Sequence, residues 1–503
     1  MLLEMHAHTS EHSSCSHVAA VDLIRMVRAK GLQGVVFTDH HYLWRDEDIL
    51  GLRERADVPD EFLTFSGQEV STSDAGDILV YGATESISRS WRLAEIREHF
   101  PQAALVWAHP YRWRKSPAAR ELLNPLLDAV EVLNTNHTVS ENSRGLQDWF
   151  RHRFTAIAGT DTHAASYAGL YPTVFDHPVE SVEALSEAVK NGRCRPFLKE
   201  IHKAGMSMHV ADITGRDGLG NGERFVVKSN GGTHGWKSAE RAFHIMETLY
   251  VNGFDNGRYR VPRPVHRDEQ GMILMEQELP GSTLFEKVVG SGPEDGRYLV
   301  QMAARWLARL HNRGLHITPA SEFLPMEEKR LGKYVAQFER CRHSHTKRAR
   351  ELMLAIHKSE VELFGNRPHL LIQGHGDYHP KNILVAEDKA RPGDPYVAAI
   401  DFDSSYLLPP AFDVGTFLAQ FHNQLFPYPQ VLQRIPEEVF LYSYREAIRE
   451  ASEGFSRQVE LFRARTNLCI ASYLISLGLG DSENLWRVLV EAENAMTQFL
   501  ASV

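Results

Sequence analysis

Residues 375–384 read HGDYHPKNIL, and the meaning given to this stretch decides the fold of the larger, carboxyl-terminal part of the chain. Two histidines, an aspartate, a lysine and an asparagine in so short a run fit either a metal site or a loop that handles phosphate. Asn382 follows Asp377 by five positions, an interval suited to a loop in which a carboxylate accepts a substrate hydroxyl proton while a nearby amide oxygen holds magnesium. A second carboxylate should then follow on a strand, and VAAIDFDSS (397–405) places Asp401 after an apolar run, with Asp403 two residues later. Phosphoryl transfer needs such a set because its transition state spreads negative charge over several oxygens, so catalysis is mainly positioning and cation clamping. A metal-only reading fits less well. Lys381 would repel a cation, and Pro380 belongs to a rigid loop, so His375 and His379 are expected to orient backbone rather than react.

Working outward, the stretch from about 196 changes character from what precedes it. MSMHVADIT (206–214) and ERFVVKSN (223–230), joined by the turn-rich GRDGLGNG, read as an antiparallel hairpin. A helical segment, KSAERAFHIMETLYVNG (237–253), and a strand, GMILMEQEL (271–279), follow, and from about residue 294 the pattern is mostly helical. A small sheet-rich part before a large helical part is a bilobal outline. Residues 196–503 resemble the aminoglycoside phosphotransferase family of small-molecule kinases, relatives of the protein kinases. The matching residues are HGDYHPKN, the IDFD strand, PPAFDVGTF with Asp413, WLARLH ahead of the loop and LMEQELPG at the hinge. The resemblance implies an α+β kinase-like domain with a small lobe at about 196–282 and a large lobe at about 283–503. It implies Asp377 as catalytic base, Asn382 and Asp401 as Mg2+ ligands, and backbone near Glu276 and Glu278 for the adenine of ATP. Lys228, in the apolar strand RFVVK, would contact the nucleotide phosphates and Glu240 would pair with it. The segment KAGMS, with Gly205 and Ser207, is expected to be the nucleotide loop, because the glycine-dense 215–222 directly precedes the lysine strand and should be a turn. Asp413 is expected to brace the catalytic loop.

The first 195 residues alternate amphipathic helices with short apolar strands, as in VDLIRMVRAKG then LQGVVFTDHH (21–41), which indicates an α/β domain built of βαβ units. Several strands end in a polar cluster: TDHH, AHP, NTN and GTDTH. In α/β barrels the carboxyl ends of the strands converge on the active site. His6 and His8 alternate on a probable first strand, His40 ends TDHH, Glu69 sits in FSGQEVS, His109 in WAHPY, and Asp161 with His163 in AGTDTH. Mixed nitrogen and oxygen ligands suit zinc, manganese or iron. The order HxH, TDH, GxE, AHP and GTDTH resembles the PHP family, named for polymerase and histidinol phosphatase. That resemblance implies a distorted seven-stranded (β/α) barrel with two or three ions of Zn2+, Mn2+ or Fe2+ and phosphoesterase chemistry, Glu69 bridging two of them. Arg144 or another basic residue would hold the substrate phosphate. Two positions depart from the family pattern: Cys15 and Asp77 stand where many relatives carry other ligands, and both residue types can still bind metal.

The chain has 503 residues, 43% of them apolar and 24% charged, a formal charge of -10 and 26 histidines. This is a globular composition without a general nucleic-acid surface. Its four cysteines are scattered, and neither a leader nor a long apolar run is present, so a reducing, cytoplasmic setting without membrane partners is expected. The first expectation is a bifunctional enzyme, with metal-dependent phosphoester hydrolysis in 1–195 and ATP-dependent phosphorylation of a small-molecule hydroxyl in 196–503. Two alternatives stay open: a kinase carrying a metal-binding regulatory module, or a phosphoesterase carrying a nucleotide sensor. Nothing in the sequence selects among sugars, amino alcohols, nucleosides and aminoglycosides as acceptor.

Overall fold

The amino-terminal strands are short and almost wholly buried, as apolar runs covered on both faces must be. In chain order they are β1 (Leu2–Ala7), β2 (Gly34–Phe37), β3 (Leu63–Ser71), β4 (Asp77–Tyr81), β5 (Ala104–Trp107), β6 (Ala129–Leu133), β7 (Ala156–Ala158), β8 (Thr173–Phe175) and β9 (Cys194–Pro196). The structure, a computed structural model, describes residues 1–503 apart from 114–116, 204–205, 214–222, 230–232, 270–271, 291, 388–392, 451–453 and 502–503. The chain divides into two compact units: Met1–Gly231 with His266–Met275, and Gly232–Val265 with Glu276–Val503.

In the first unit one sheet has the order β7-β6-β5-β4-β3-β2-β1-β8-β9. It is nearly closed, because β7 returns to β1: Asp161 N–H donates to His6 O at 2.7 Å, and Thr173 Oγ1 bonds Ala158 from the β8 side. Nine strands stand where seven were expected, and they are not all parallel. β4 runs antiparallel to β3 and β5, and β8 and β9 run antiparallel to their neighbours. Leu3, Met5, Val36, Phe65, Leu79, Tyr81, Val106 and Ile157 form one core cluster of the sheet. A second cluster places Val35 and Phe37 against Leu23, Ile24 and Val27 of the helix Ala20–Ala29, whose apolar residues recur at helical spacing.

Register slips in β1 between Glu4 and Ala7 and in β6 between Glu131 and Leu133. Each slip puts an extra residue opposite the partner strand and re-aims the side chains beyond it, a device found beside active sites. Both lie at the end of the sheet where the polar clusters gather.

A second sheet has the strand order Lys199–Lys203, Met206–Ile213, Glu223–Ser229, Ile273–Gln277, Pro264–Asp268. The expected hairpin of 206–214 with 223–230 is present as an antiparallel pair, Met208 lying opposite Lys228. The units divide after Met275, so these strands group mainly with the first unit, whereas the helix Thr233–Leu249 belongs to the second.

The second unit is helical around a small sheet in which Ile383–Glu387 pairs antiparallel with Pro395–Ala399. Its core includes a buried charged network. Arg465 Nε and Nη2 donate to the two Glu327 oxygens at 2.7 and 3.0 Å, and Tyr406 Oη donates to Glu327 at 2.8 Å. Nearby Glu360 is fully buried, and neither carboxyl oxygen has a hydrogen-bond partner; His357 lies 3.9 Å away. Burial pushes Glu360 up to about 7. A raised carboxyl value means that Glu360 is accommodated neutral: its stabilising contribution is whole below about pH 4.5 and is lost as pH rises through about 7. Glu360→Gln should therefore raise the melting temperature at pH 8 by on the order of 5 °C and leave it unchanged at pH 4.5. Equal shifts at both pH values in thermal melts would show that Glu360 does not titrate in this range.

Candidate functional site

At the carboxyl end of the first sheet the histidines and carboxylates converge. His6 and His8 lie at the end of β1, His40 beyond β2, Glu69 within β3, Asp77 at the start of the reversed β4, His109 beyond β5 and Asp161 beyond β7. Their donor atoms form three mutually close groups: His6, His8, Glu69 and Asp161; Glu69, Asp77 and His109; and His8, Cys15 and His40. Glu69 belongs to two of these groups and His8 to two. His8 Nε2 is 3.0 Å from Glu69 Oε2 and 3.1 Å from Asp161 Oδ1, and His6 Nε2 is 3.4 Å from Glu69 Oε2. His109 Nε2 is 2.8 Å from Glu69 Oε1 and 3.8 Å from Asp77 Oδ2, and His40 Nδ1 is 3.3 Å from Glu69 Oε2.

A divalent ion with bonds of about 2.1 Å spaces its donors by about 3.0 Å in an octahedron and about 3.4 Å in a tetrahedron. The observed separations fall around these edges, so the donor set fits metal in both chemistry and spacing. Electrostatics agree. Burial disfavours charge on these groups, yet the cluster sustains charge of both signs. Glu69 is held well below the usual carboxylate range, with burial opposing and His6 and His109 prevailing. Despite burial, His6 is held well above its ordinary value by Glu131, Asp161 and Glu69, and His8 is pushed up to about 9 by Asp161 and Glu69. Protons on imidazole thus do the neutralising that a cation would otherwise do.

His163 stands apart from these groups. Its Nδ1 is 2.6 Å from the Asp161 carbonyl, although the same atom lies 3.3 Å from Asp161 Oδ1. His41 meets Ile87 O through Nδ1. Arg144 Nη1 donates to Ser140 on its own helix.

Three residues beside the cluster, Glu131, Ser13 and Asp39, carry no motif of their own in the sequence. Glu131 holds His6 Nδ1 at 3.0 Å, accepts the His109 backbone N–H at 2.8 Å and accepts from Asn134 Nδ2 at 2.9 Å. Ser13 lies 3.2 Å from His8 Nδ1 and donates to Asp39, which also accepts from Thr9 and Trp44. Such outer partners fix ring orientation and tautomer. The signal for Glu131 was present: a carboxylate inside the buried run AVEVL. Gly159 is demanded by close approach, since a Cβ there would overlap the His6 side chain and the Glu131 carboxylate. Backbone strain also collects here, with His109 at φ 32° and Asp161 at φ 50°.

The second unit carries the phosphate-transfer stretch. Asn382 Nδ2 donates to Asp377 Oδ2 at 3.2 Å and to Asp377 O at 3.1 Å, leaving Oδ1 as the end not engaged by Asp377. Ile400 N–H donates to Asn382 O at 3.0 Å, and His375 Nε2 meets Ile400 O at 3.1 Å. These two bonds hold the residue before Asp401 against the loop, and Asp401 then adopts the left-handed region at φ 68°. Asp413 accepts the N–H groups of His375 and Gly376 at 2.8 and 2.7 Å and is met by His311 at 3.1 Å. Gly376 has φ 79°, and a Cβ there would collide with Ser404 O. The Asp377 carboxylate is 42% exposed, and His379 lies 3.6 Å away. Burial tends to raise Asp377, but His379 outweighs it and keeps the carboxyl below its ordinary value.

The remaining expected nucleotide residues are spread over the two units. Lys228 lies on the strand Glu223–Ser229 in the first; Glu240, on the helix Thr233–Leu249, and Glu276 and Glu278, at the end of the strand Ile273–Gln277, lie in the second. Ser207 is in the strand Met206–Ile213, and Gly205 lies outside the described residues.

Residues 213–438 match the sequence profile of the phosphotransferase enzyme family, APH. The match supports a kinase-like small-molecule phosphotransferase domain over this stretch, which contains the HGDYHPKN loop and the hairpin leading to Asp401. Among solved structures, the chain is similar to an ethanolamine kinase of Plasmodium vivax, at 14% identity and a TM-score of 0.39 over 61% of this chain and 83% of that one. It is also similar to the macrolide 2'-phosphotransferase MphH of Brachybacterium faecium, at 16% identity and a TM-score of 0.35 over 58% of this chain and 91% of that one. A third, PsfC of Pseudomonas syringae, matches at 13% identity and a TM-score of 0.29 over 38% of this chain and 93% of that one. No protein of curated function matches the chain by sequence. Among the described residues no helix is long and apolar enough to cross a membrane.

Proposed function

We propose that the chain is a bifunctional enzyme, transferring phosphate from ATP to a small-molecule hydroxyl at Asp377 and hydrolysing a phosphoester at the histidine-rich cluster of the first unit. The observation that carries the kinase half is the loop in which Asp377, Asn382 and the approach to Asp401 are tied together inside a stretch matching the phosphotransferase profile. Asp377 receives the acceptor hydroxyl proton, and His379 helps keep it ionised for that task. His375, Asp413 and Gly376 fix the loop that presents it. Asn382 and Asp401 would hold Mg2+, which would offset the charge of the nucleotide phosphates.

For the hydrolytic half, the supporting observation is the convergence of eight donors at one end of a nearly closed sheet. His6, His8, Glu69 and Asp161 would hold one divalent ion and Glu69, Asp77 and His109 a second, with Cys15 and His40 the remaining donors toward a third. Such ions supply phosphate-oxygen polarisation and an acidified water. Glu131 orients His6, and Ser13 with Asp39 orients His8. The donor chemistry and the clusters at the strand ends support a PHP-type reading of residues 1–195, with zinc, manganese or iron as the metal.

The direct test is a screen of hydroxylated metabolites with labelled ATP, run beside a phosphate-release assay on model phosphoesters with added Mn2+. The proposal expects labelled product in the first and metal-dependent release in the second. Transfer without any release would reduce the first unit to a metal-binding module.

A further inference from the structure

Alternation along β3 puts Phe65 on the same face as Glu69, and Thr64 and Ser66 on the opposite face, turned away from the donor cluster. The connection from Ser71 to Asp77 is too short to carry a crossover helix. The helix Asp46–Ala56 packs on β3 and the helix Val182–Lys190 on β4 and β5, and between them a cleft of about 370 Å³ opens over Thr64 and Ser66. Thr64 is 8% exposed, and its Oγ1 is buried without a hydrogen-bond partner among the described residues. Ser66 Oγ and Ser181 Oγ, also on the cleft, accept the N–H groups of Trp44 at 2.8 Å and Ala184 at 3.2 Å. Among the described residues neither serine donates its own hydrogen to a protein acceptor. Leu43, Ile49 and Val182 supply an apolar wall.

The ionisable groups on the cleft are Arg53, Asp46 and Glu183. Arg53 Nη2 donates to Asp60 O at 3.0 Å, and each acid stands in the first turn of its helix, where the amide dipoles offset negative charge. The cleft therefore presents no unbalanced charge to hold an ion. A buried hydroxyl left without a partner costs stability, and a cleft of this volume, within the range of small-molecule sites, is many times what a single water fills. Thr64 can donate and accept, while Ser66 and Ser181 still have a hydrogen to donate. The complement of such a wall is a ligand whose oxygens accept and donate alike. Hydroxyls on a carbon frame meet that need, with C–H groups turned to Leu43 and Ile49. We propose that this cleft binds an uncharged polyhydroxylated molecule of monosaccharide size, on the face of β3 turned away from Glu69.

The test uses the full chain without ATP, as wild type, Thr64→Val and Asp377→Ala. Binding of D-glucose, D-ribose and myo-inositol is followed by calorimetry and saturation-transfer NMR, with sulfate and ethanolamine as charged probes. At least one of the three polyols should bind the wild type, more tightly than either ion by at least about tenfold. Thr64→Val keeps the shape of the side chain and removes its hydroxyl, so it should weaken polyol binding by at least about tenfold. The same substitution should raise the melting temperature without ligand by about 2–4 °C, because an unpaired buried hydroxyl is exchanged for a methyl group. Asp377→Ala should bind the polyol as the wild type does, which separates the cleft from an acceptor site in the kinase half. No polyol binding in the wild type, tighter binding of sulfate or ethanolamine, undiminished polyol binding in Thr64→Val, or loss of binding in Asp377→Ala would overturn the proposal. So would a lower melting temperature in Thr64→Val, which would mean that the hydroxyl is already paired inside the protein.

Discussion

Replacing Asp377 with alanine is expected to lower ATP-dependent phosphorylation by about 10³-fold, the loss typical of removing a positioned general base. The fold should survive, because the bonds that shape the loop belong to other residues. Asp413 accepts the His375 and Gly376 N–H groups, and Tyr378 Oη donates to Ala303 O at 2.8 Å. What Asp377 itself contributes to the loop is its contact with Asn382, so Asp377→Asn separates geometry from basicity. An asparagine side chain can still accept from Asn382 Nδ2 but cannot take a proton. Both variants should fall alike in rate at saturating acceptor, with nucleotide affinity little changed in Asp377→Asn. Steady-state kinetics with separate titrations of ATP and acceptor would decide this. An Asp377→Asn protein retaining a tenth of the wild-type rate would remove Asp377 from the role of base.

The second large effect is expected from Glu69→Gln. Glu69 contributes oxygens to two of the three donor groups: Oε1 faces His109, and Oε2 faces His6, His8 and His40. Among the described residues it is the only carboxylate that reaches all four imidazoles, and the substitution removes its charge. Metal affinity should drop by more than about 100-fold, since even outer-shell changes cost up to that much. Phosphoester hydrolysis should fall with it, whereas kinase activity should persist because Asp377, Asn382 and Asp401 are untouched. Elemental analysis and the two activity assays on one preparation would check this. Parallel loss of both activities with an intact circular dichroism spectrum would mean that the two chemistries share one site.

His8, His40, His109 and Asp161 were legible in the sequence because each follows a short apolar strand, and strand ends on one side of a sheet converge. The closure of that sheet was less so. β8 and β9 each have three residues, too few for a periodic signal, and the expected (β/α) barrel leaves no place for a reversed strand such as β4. The connection from Ser71 to Asp77 is too short for a parallel crossover and did contain the sign of its reversal. Because β4 is reversed, Asp77 stands at its beginning and still joins His109 at the site. The bulges in β1 and β6 leave no mark in composition, so the carboxylate inside AVEVL marks Glu131 as unusual without showing that it meets His6. In the second unit the spacing marks Asp377 and Asn382 as parts of one loop, and the fold adds that Asn382 Nδ2 donates to Asp377. The nearness of Asp401 depends on His375 and the hairpin register, which spacing alone does not contain.

Two separate cation-holding sites in one polypeptide are the core of the proposed function. Its most direct test is the transition-metal content per chain of protein purified without chelator, measured for wild type, Asp377→Ala and Glu69→Gln. Two or three equivalents in wild type, the same in Asp377→Ala and less than one in Glu69→Gln is the predicted result. Wild-type protein holding no transition metal, or losing it through Asp377→Ala, would contradict the account.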